Sequence, residues 1–220
     1  MMTDPLSSFD WSTLHSRYDA ACKGFDHASV YLSAFDSSRP RTDRELYYKL
    51  IDSLSEGKRT SHVEPIQIYE ALLYWKLYSQ RVTNSNLQRW LRQDISNRQR
   101  IQEKVSRLFK SLPTRLEKRT EAVVDAVRSL GTHQIPGMGK SKSAALPVRT
   151  TLLHFIYPSV VPVFDKMVLK AVDLWFEDAN KKIDVLESYL PVAWELAERY
   201  SPIMPRFPDE GPIRGERQLS

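Results

Sequence analysis

Two features between positions 135 and 172 have residue types and spacing suited to chemistry. The first is Ile135-Pro-Gly-Met-Gly139, followed by Lys140, Ser141, Lys142 and Ser143. Glycine reaches positive φ freely, so a turn of this kind can bring backbone N–H groups against a phosphate. The second is Asp165, a single acid placed after Pro162-Val-Phe where a helix is expected to begin. A fixed carboxylate can stabilise a developing positive charge and can orient or deprotonate a water. Asp is also among the best helix N-caps, worth about 1 kcal/mol. The two roles can coincide, because a helix N-terminus favours the ionised carboxylate.

Other readings of this stretch are weaker. Gly139-Lys140-Ser141 echoes the end of the nucleotide phosphate-binding loop, but Gln134 stands where that motif needs its first glycine, and no apolar strand precedes it. His154 lies among Leu152, Leu153, Phe155 and Ile156, a setting for a satisfied core histidine more than for a base or a ligand. The single cysteine, Cys22, excludes an internal disulfide and a Cys-rich zinc site.

The elements that must position these groups are helical. Thr42 is placed to cap a helix carrying Leu46, Leu50, Ile51 and Leu54, with Gly57 as its stop. Pro65 suits the first turn of a helix over 64–80, apolar on most sides and hence central. A shorter helix is predicted over 83–91, then one capped by Asp94 or Ser96 with the stripe Ile101, Val105, Leu108, Leu112. Thr114-Arg-Leu-Glu117 reads as a capping box opening a helix to Leu130, with Gly131 after it. Helices follow from Pro147 to Tyr157, from Asp165 to about Phe176, and over 182–200, the last kinked or divided by Pro191. The fold class is all-α. Residues 1–41 form an irregular, partly helical segment with helices around Trp11–Cys22 and His27–Phe35; residues 42–200 form the main domain; residues 201–220 form a Pro-rich tail.

The chain has 220 residues and a net charge of +5. Between Ser96 and Thr120, eight basic residues face two acids, Glu103 and Glu117; that surplus exceeds the net charge of the whole chain. Arg98, Arg100, Lys104 and Arg107 fall in this stretch, which suits an anionic partner, nucleic acid first, or equally an inert solvated helix face. No 18-residue apolar run is present, so no membrane span is expected. The first ten residues carry neither a basic nor an apolar leader, so an intracellular, cytoplasmic or nuclear location is expected.

Ile135-Pro-Gly-Met-Gly139, the segment Leu146-Pro-Val-Arg-Thr-Thr-Leu-Leu-His-Phe-Ile-Tyr157, and Pro162-Val-Phe-Asp165-Lys-Met-Val168 together resemble the core of the helix-hairpin-helix DNA glycosylases, in a divergent form with an 8-oxoguanine-glycosylase-like fold. The family interval between hairpin and acid is shorter than that between Gly139 and Asp165. Two registers therefore stand: Gly137 and Gly139 as an enlarged hairpin, or Ala144 and Ala145 in its place. The resemblance extends to Leu72-Leu-Tyr-Trp-Lys-Leu-Tyr-Ser-Gln80, similar to the helix end from which these enzymes push a side chain into the DNA stack.

It implies double-stranded DNA as partner, held by Gln80, Arg98, Arg100, Lys104, Arg107, Gly137, Gly139, Lys140, Lys142 and Arg149. Trp75, Tyr78, His154, Tyr157 and Trp175 would be available to stack on an extruded base. Asp165 would be the key carboxylate of a monofunctional glycosylase that needs no metal and no organic cofactor. The lysine of lyase-type members is Ser141 in one register and Pro147 in the other, so Schiff-base chemistry is not implied. Two further readings stand beside this one. The chain is a helical DNA-binding protein without the chemistry, or an interaction protein whose basic face meets an acidic protein or RNA.

Overall fold

The architecture follows from which helices are apolar all round and which on one stripe. A computed structural model of the chain describes residues 24–55, 64–78, 95–139, 141 and 144–200. The expected helices at 11–22 and 83–91, and the tail after 200, lie outside the described residues. Within them the structure is all-α, with no strand. Its helices are α1 (Asp43–Leu54), α2 (Pro65–Leu77), α3 (Ile95–Ser111), α4 (Thr120–Leu130), α5 (Leu146–Ile156), α6 (Lys166–Ala171) and α7 (Ile183–Tyr200). Short 3-10 turns run over Val30–Ser38, Gly131–His133 and Ala179–Lys181.

Two helices form the centre. Around α2 the buried residues Ile66, Ile68, Tyr69, Leu72, Leu73 and Leu77 cover nearly every direction, and α5 is similarly enclosed by Leu146, Leu152, Leu153, Phe155 and Ile156. A helix apolar on all sides is stable only inside. Accordingly α2 packs against Val30–Ser38, α1, α3 and α5, while α5 also touches α1 and α4. The α3 stripe Ile101, Val105, Leu108 and Leu112 faces inward as its spacing requires.

Local chemistry sets most of the helix ends. Thr42 Oγ1 accepts the Glu45 N–H at 3.1 Å, and Glu45 accepts in turn from the Arg41 N–H at 2.7 Å, so α1 begins where predicted. Pro65 occupies the first turn of α2, where its missing N–H costs nothing.

Three expectations are corrected. The capping box at Thr114 does not form: residues 113–119 are a non-helical connector and α4 starts at Thr120. Glu117 pairs with Arg119 instead, Leu116 packs on the core, and Tyr157 Oη donates to the Pro113 carbonyl, holding the connector off helical geometry. α6 ends at Ala171, well short of Phe176, because Asp173 takes a left-handed conformation (φ 58°) and the Leu174 N–H folds back to the Leu169 carbonyl at 2.9 Å. α7 is not divided at Pro191 but runs through it as one helix.

A candidate functional site around Asp165

Asp165 stands at the junction of an irregular segment and α6. Its Oδ1 accepts the N–H groups of Met167 at 2.9 Å and Val168 at 3.2 Å, so the capping role is present. Its Oδ2 accepts a bond from Lys76 Nζ at 3.1 Å, delivered from the last turn of α2. The Asp165 side chain keeps 33% of its exposure, whereas that of Lys76 keeps 9%. Partial burial pushes the carboxyl pKa up, but the Lys76 charge and the two backbone N–H bonds outweigh it. The group therefore titrates below the ordinary carboxylate range. The result is a partly exposed ionised carboxylate paired with a nearly buried lysine.

The segment that carries Asp165 is fastened far more tightly than a helix cap requires. Trp194 Nε1 donates to the Val160 carbonyl at 2.7 Å, His154 Nδ1 to Val161 at 2.7 Å, and Tyr189 Oη to Val163 at 2.7 Å. Because a carbonyl can only accept, His154 carries its proton on Nδ1, and its Nε2 accepts from Tyr47 Oη at 2.8 Å. Burial first, with help from the Lys76 charge, lowers the His154 pKa against the pull of the Val161 carbonyl, so the imidazole is neutral. Burial also pushes the Tyr47 phenol up to about 12. Val161 and Phe164 add apolar anchors within the same segment.

The glycine hairpin is fastened differently. Gly137 (φ 86°) and Gly139 (φ 66°) both lie in the left-handed region, as does Ala145 (φ 52°), the residue at the start of α5. A Cβ at Gly139 would meet the Ala144 Cβ at 2.4 Å. Arg149 is fully buried and its guanidinium ties the loop down, donating to the carbonyls of Met138 (2.7 Å), Ser141 (2.7 Å), Gly139 (3.4 Å) and Val127 (3.4 Å). Gly131 makes room for it, since a Cβ there would meet Nη2 at 2.6 Å.

α2 spaces the two features. Tyr69 Oη donates to the Pro136 carbonyl at 2.6 Å, and Lys76 holds Asp165. Residues seven apart on a helix share a face and differ by about 10 Å along the axis. Hairpin and acid are thus attached to one face of one helix. The α3 cations adjoin the hairpin: Lys104 Nζ reaches the Gln134 carbonyl at 3.5 Å, and Arg107 acts on His133 just ahead of it. Arg100, Lys104 and Arg107 follow at helical spacing on one side of α3, with Arg100 and Arg107 exposed.

Several predicted contact residues are placed elsewhere. Arg98 is not on that outer face; both its terminal nitrogens engage Glu70, whose side chain is 1% exposed. A buried carboxylate needs such a partner. Arg149, expected on the DNA side, is interior for the reason given. Tyr157 is buried and bound to Pro113. Trp75 packs against Phe155 (5.1 Å) and Tyr47 (5.7 Å), with its Nε1 buried and without a hydrogen-bond partner among the described residues. Tyr78 donates to Asp43 Oδ2 at 3.1 Å and meets the edge of Phe25. Trp175 lies beneath the Lys166 ammonium, 5.1 Å from its ring centre. Gln80, Lys140 and Lys142 lie outside the described residues.

The residues missed by sequence reasoning are Lys76 and Tyr189. Lys76 had a signal: together with Glu70 it is one of only two charges between Pro65 and Leu77, and a charge on an apolar helix must be paired. Tyr189 had none.

No family model matches the chain, and no curated protein or solved structure matches it. Among the described residues, no helix is long and apolar enough to cross a membrane, and no cluster of three or more His, Cys, Asp or Glu side chains is placed to hold a metal ion.

Proposed function

We propose that this chain is a DNA-binding protein of base-excision type, a monofunctional glycosylase that breaks the N-glycosidic bond of a modified base with Asp165 as its carboxylate. The observation that carries the reading is the over-determined support of a partly open, ionised acid. Three backbone carbonyls in the run-up to Asp165 are tied by side chains from α5 and α7, and the acid itself by Lys76 from α2. Fixing a charge against its own solvation in this way suits stabilisation of a cationic sugar. The α3 cations and the hairpin would grip phosphates while the target nucleotide is extruded, at a cost of a few kcal/mol. Duplexes carrying single damaged or modified bases should yield abasic sites, and Asp165→Asn should abolish them. Activity undiminished in the variant defeats the assignment.

A second reading keeps the DNA surface and drops the catalysis. It is favoured by the satisfied Lys76–Asp165 pair and by the inward use of Arg98 and Arg149. It predicts duplex binding with no abasic product. Because Arg98 is committed to Glu70, the surface is tested by reversing Arg100, Lys104 and Arg107 to Glu. The slope of log affinity against log salt should flatten by roughly 0.9 for each phosphate that the variant no longer neutralises. An unchanged slope removes α3 from the interface. Failure to retain duplex even at low salt points to an acidic protein or RNA instead.

A further inference from the structure

Resting on the base-excision reading, we propose that Lys76 is the second half of the reacting centre. Asp165 stabilises positive charge on the sugar, while the Lys76 ammonium stabilises negative charge on the departing base. The substrates are then neutral bases with a carbonyl or ring-nitrogen acceptor, not N-alkylated cationic ones.

The two Asp165 oxygens carry unequal loads. Asp165 Oδ1 is engaged by two N–H groups of its own helix, and Oδ2 faces Lys76 Nζ at 3.1 Å. Reacting atoms approach a catalytic group to about 3–3.5 Å, so a C1′ carbon against Oδ2 lies within roughly 6 Å of the ammonium. The base leaves from that same carbon. Breaking the C1′–N bond sends the electron pair to the base and leaves the sugar cationic, so the two charges created are opposite in sign and adjacent. A carboxylate and an ammonium already held side by side match that pair of charges.

The pair also closes the proton balance. Lys76 gives a proton to the departing base nitrogen or its conjugated oxygen. Water adds to C1′ and its proton passes to Asp165. The proton then returns across the 3.1 Å bond to Lys76. One water is consumed, and free base and sugar hydroxyl are formed. A cationic base already leaves as a neutral molecule; it needs no such donor and is repelled by the ammonium.

The test uses the full chain and duplexes in which one nucleotide is a cationic pyrrolidine or a neutral tetrahydrofuran sugar analogue. Wild type should bind the pyrrolidine roughly tenfold more tightly or better. Asp165→Asn should erase that preference. Lys76→Met should widen it several-fold, because the competing ammonium is gone, and Lys76→Arg should restore it, with thermal unfolding confirming that each variant is folded. In excision of a neutral carbonyl-bearing base, Lys76→Met should lose about a hundredfold, the scale of general-acid catalysis, and no such loss should appear on an N7-alkylated purine. No pyrrolidine preference in wild type overturns the Asp165 reading and this inference together. A preference present but unmoved by Lys76→Met, or equal losses on both bases, overturns the role of Lys76 alone.

Discussion

The hairpin and the acid segment hang from the same face of α2, yet they are held in opposite senses. At the hairpin, the fixing group is a buried guanidinium that points inward and draws loop carbonyls onto itself. At the acid segment, neutral donors from His154, Tyr189 and Trp194 hold the backbone, and the charged side chain, one-third exposed, pairs with Lys76. The first arrangement commits its charge to structure. The second uses uncharged groups to hold the backbone, while the carboxylate caps α6 and pairs with Lys76. A protein that needed Asp165 only as a cap would have little use for three further anchors ahead of it, since a cap alone is worth about 1 kcal/mol.

The contrast is broken most directly at Arg149. Replacing it with Met leaves the buried Met138 carbonyl, and the part-buried Ser141 carbonyl, without this donor. A buried orphan costs about 1–3 kcal/mol and a part-buried one less, so Arg149→Met should lose about 2–4 kcal/mol in denaturant unfolding. A loss below about 1 kcal/mol would mean that the hairpin holds itself and that the two regions do not differ in kind.

Tyr189→Phe probes the other region and should cost less. It removes one neutral hydrogen bond to the Val163 carbonyl, worth about 1 kcal/mol, without opening a cavity. If the acid segment exists to aim Asp165, excision should fall more than stability does, by about tenfold, since small misplacements of a reacting group slow the chemistry steeply. A variant that loses stability but not rate would make Tyr189 a structural residue only.

How much of this was legible in the sequence differs between the two regions for the same reason. Periodicity and turn residues gave the central helices, the Thr42 cap, the α3 stripe and the Asp165 cap, because each depends on neighbours within a turn or two. Charge was misleading wherever its partner was distant. Arg98 and Arg149 read as surface cations beside Arg100 and Lys104; Glu70, 28 residues from Arg98, engages the first, and the loop carbonyls hold the second inside. Lys76 meets Asp165 across 89 residues, a separation no local pattern reports. The capping box at Thr114 failed likewise: a long-range bond from Tyr157 to Pro113 overrode a correct local motif.

The smallest effect concerns the Tyr47–His154–Val161 chain, which links α1 to the acid segment. Burial and Lys76 lower the His154 pKa, so between its folded value and the ordinary histidine value near 6.5 the unfolded chain binds the extra proton. Its contribution to stability is therefore complete above about pH 6.5 and is lost as pH falls toward the folded value. Protonation on Nε2 would also take away the acceptor that Tyr47 uses. Asp165 has a depressed pKa too, but its contribution is lost only below the ordinary carboxylate range, so the two windows separate. His133, lowered by burial and by Arg107, works in the same window as His154 and is best removed first as His133→Gln. On that background, His154→Gln should flatten stability against pH below 6.5 and leave the acid limb untouched. A slope that persists would mean that the imidazole takes its second proton without disturbing Val161, and the neutral anchor would then not be what holds the acid segment in place.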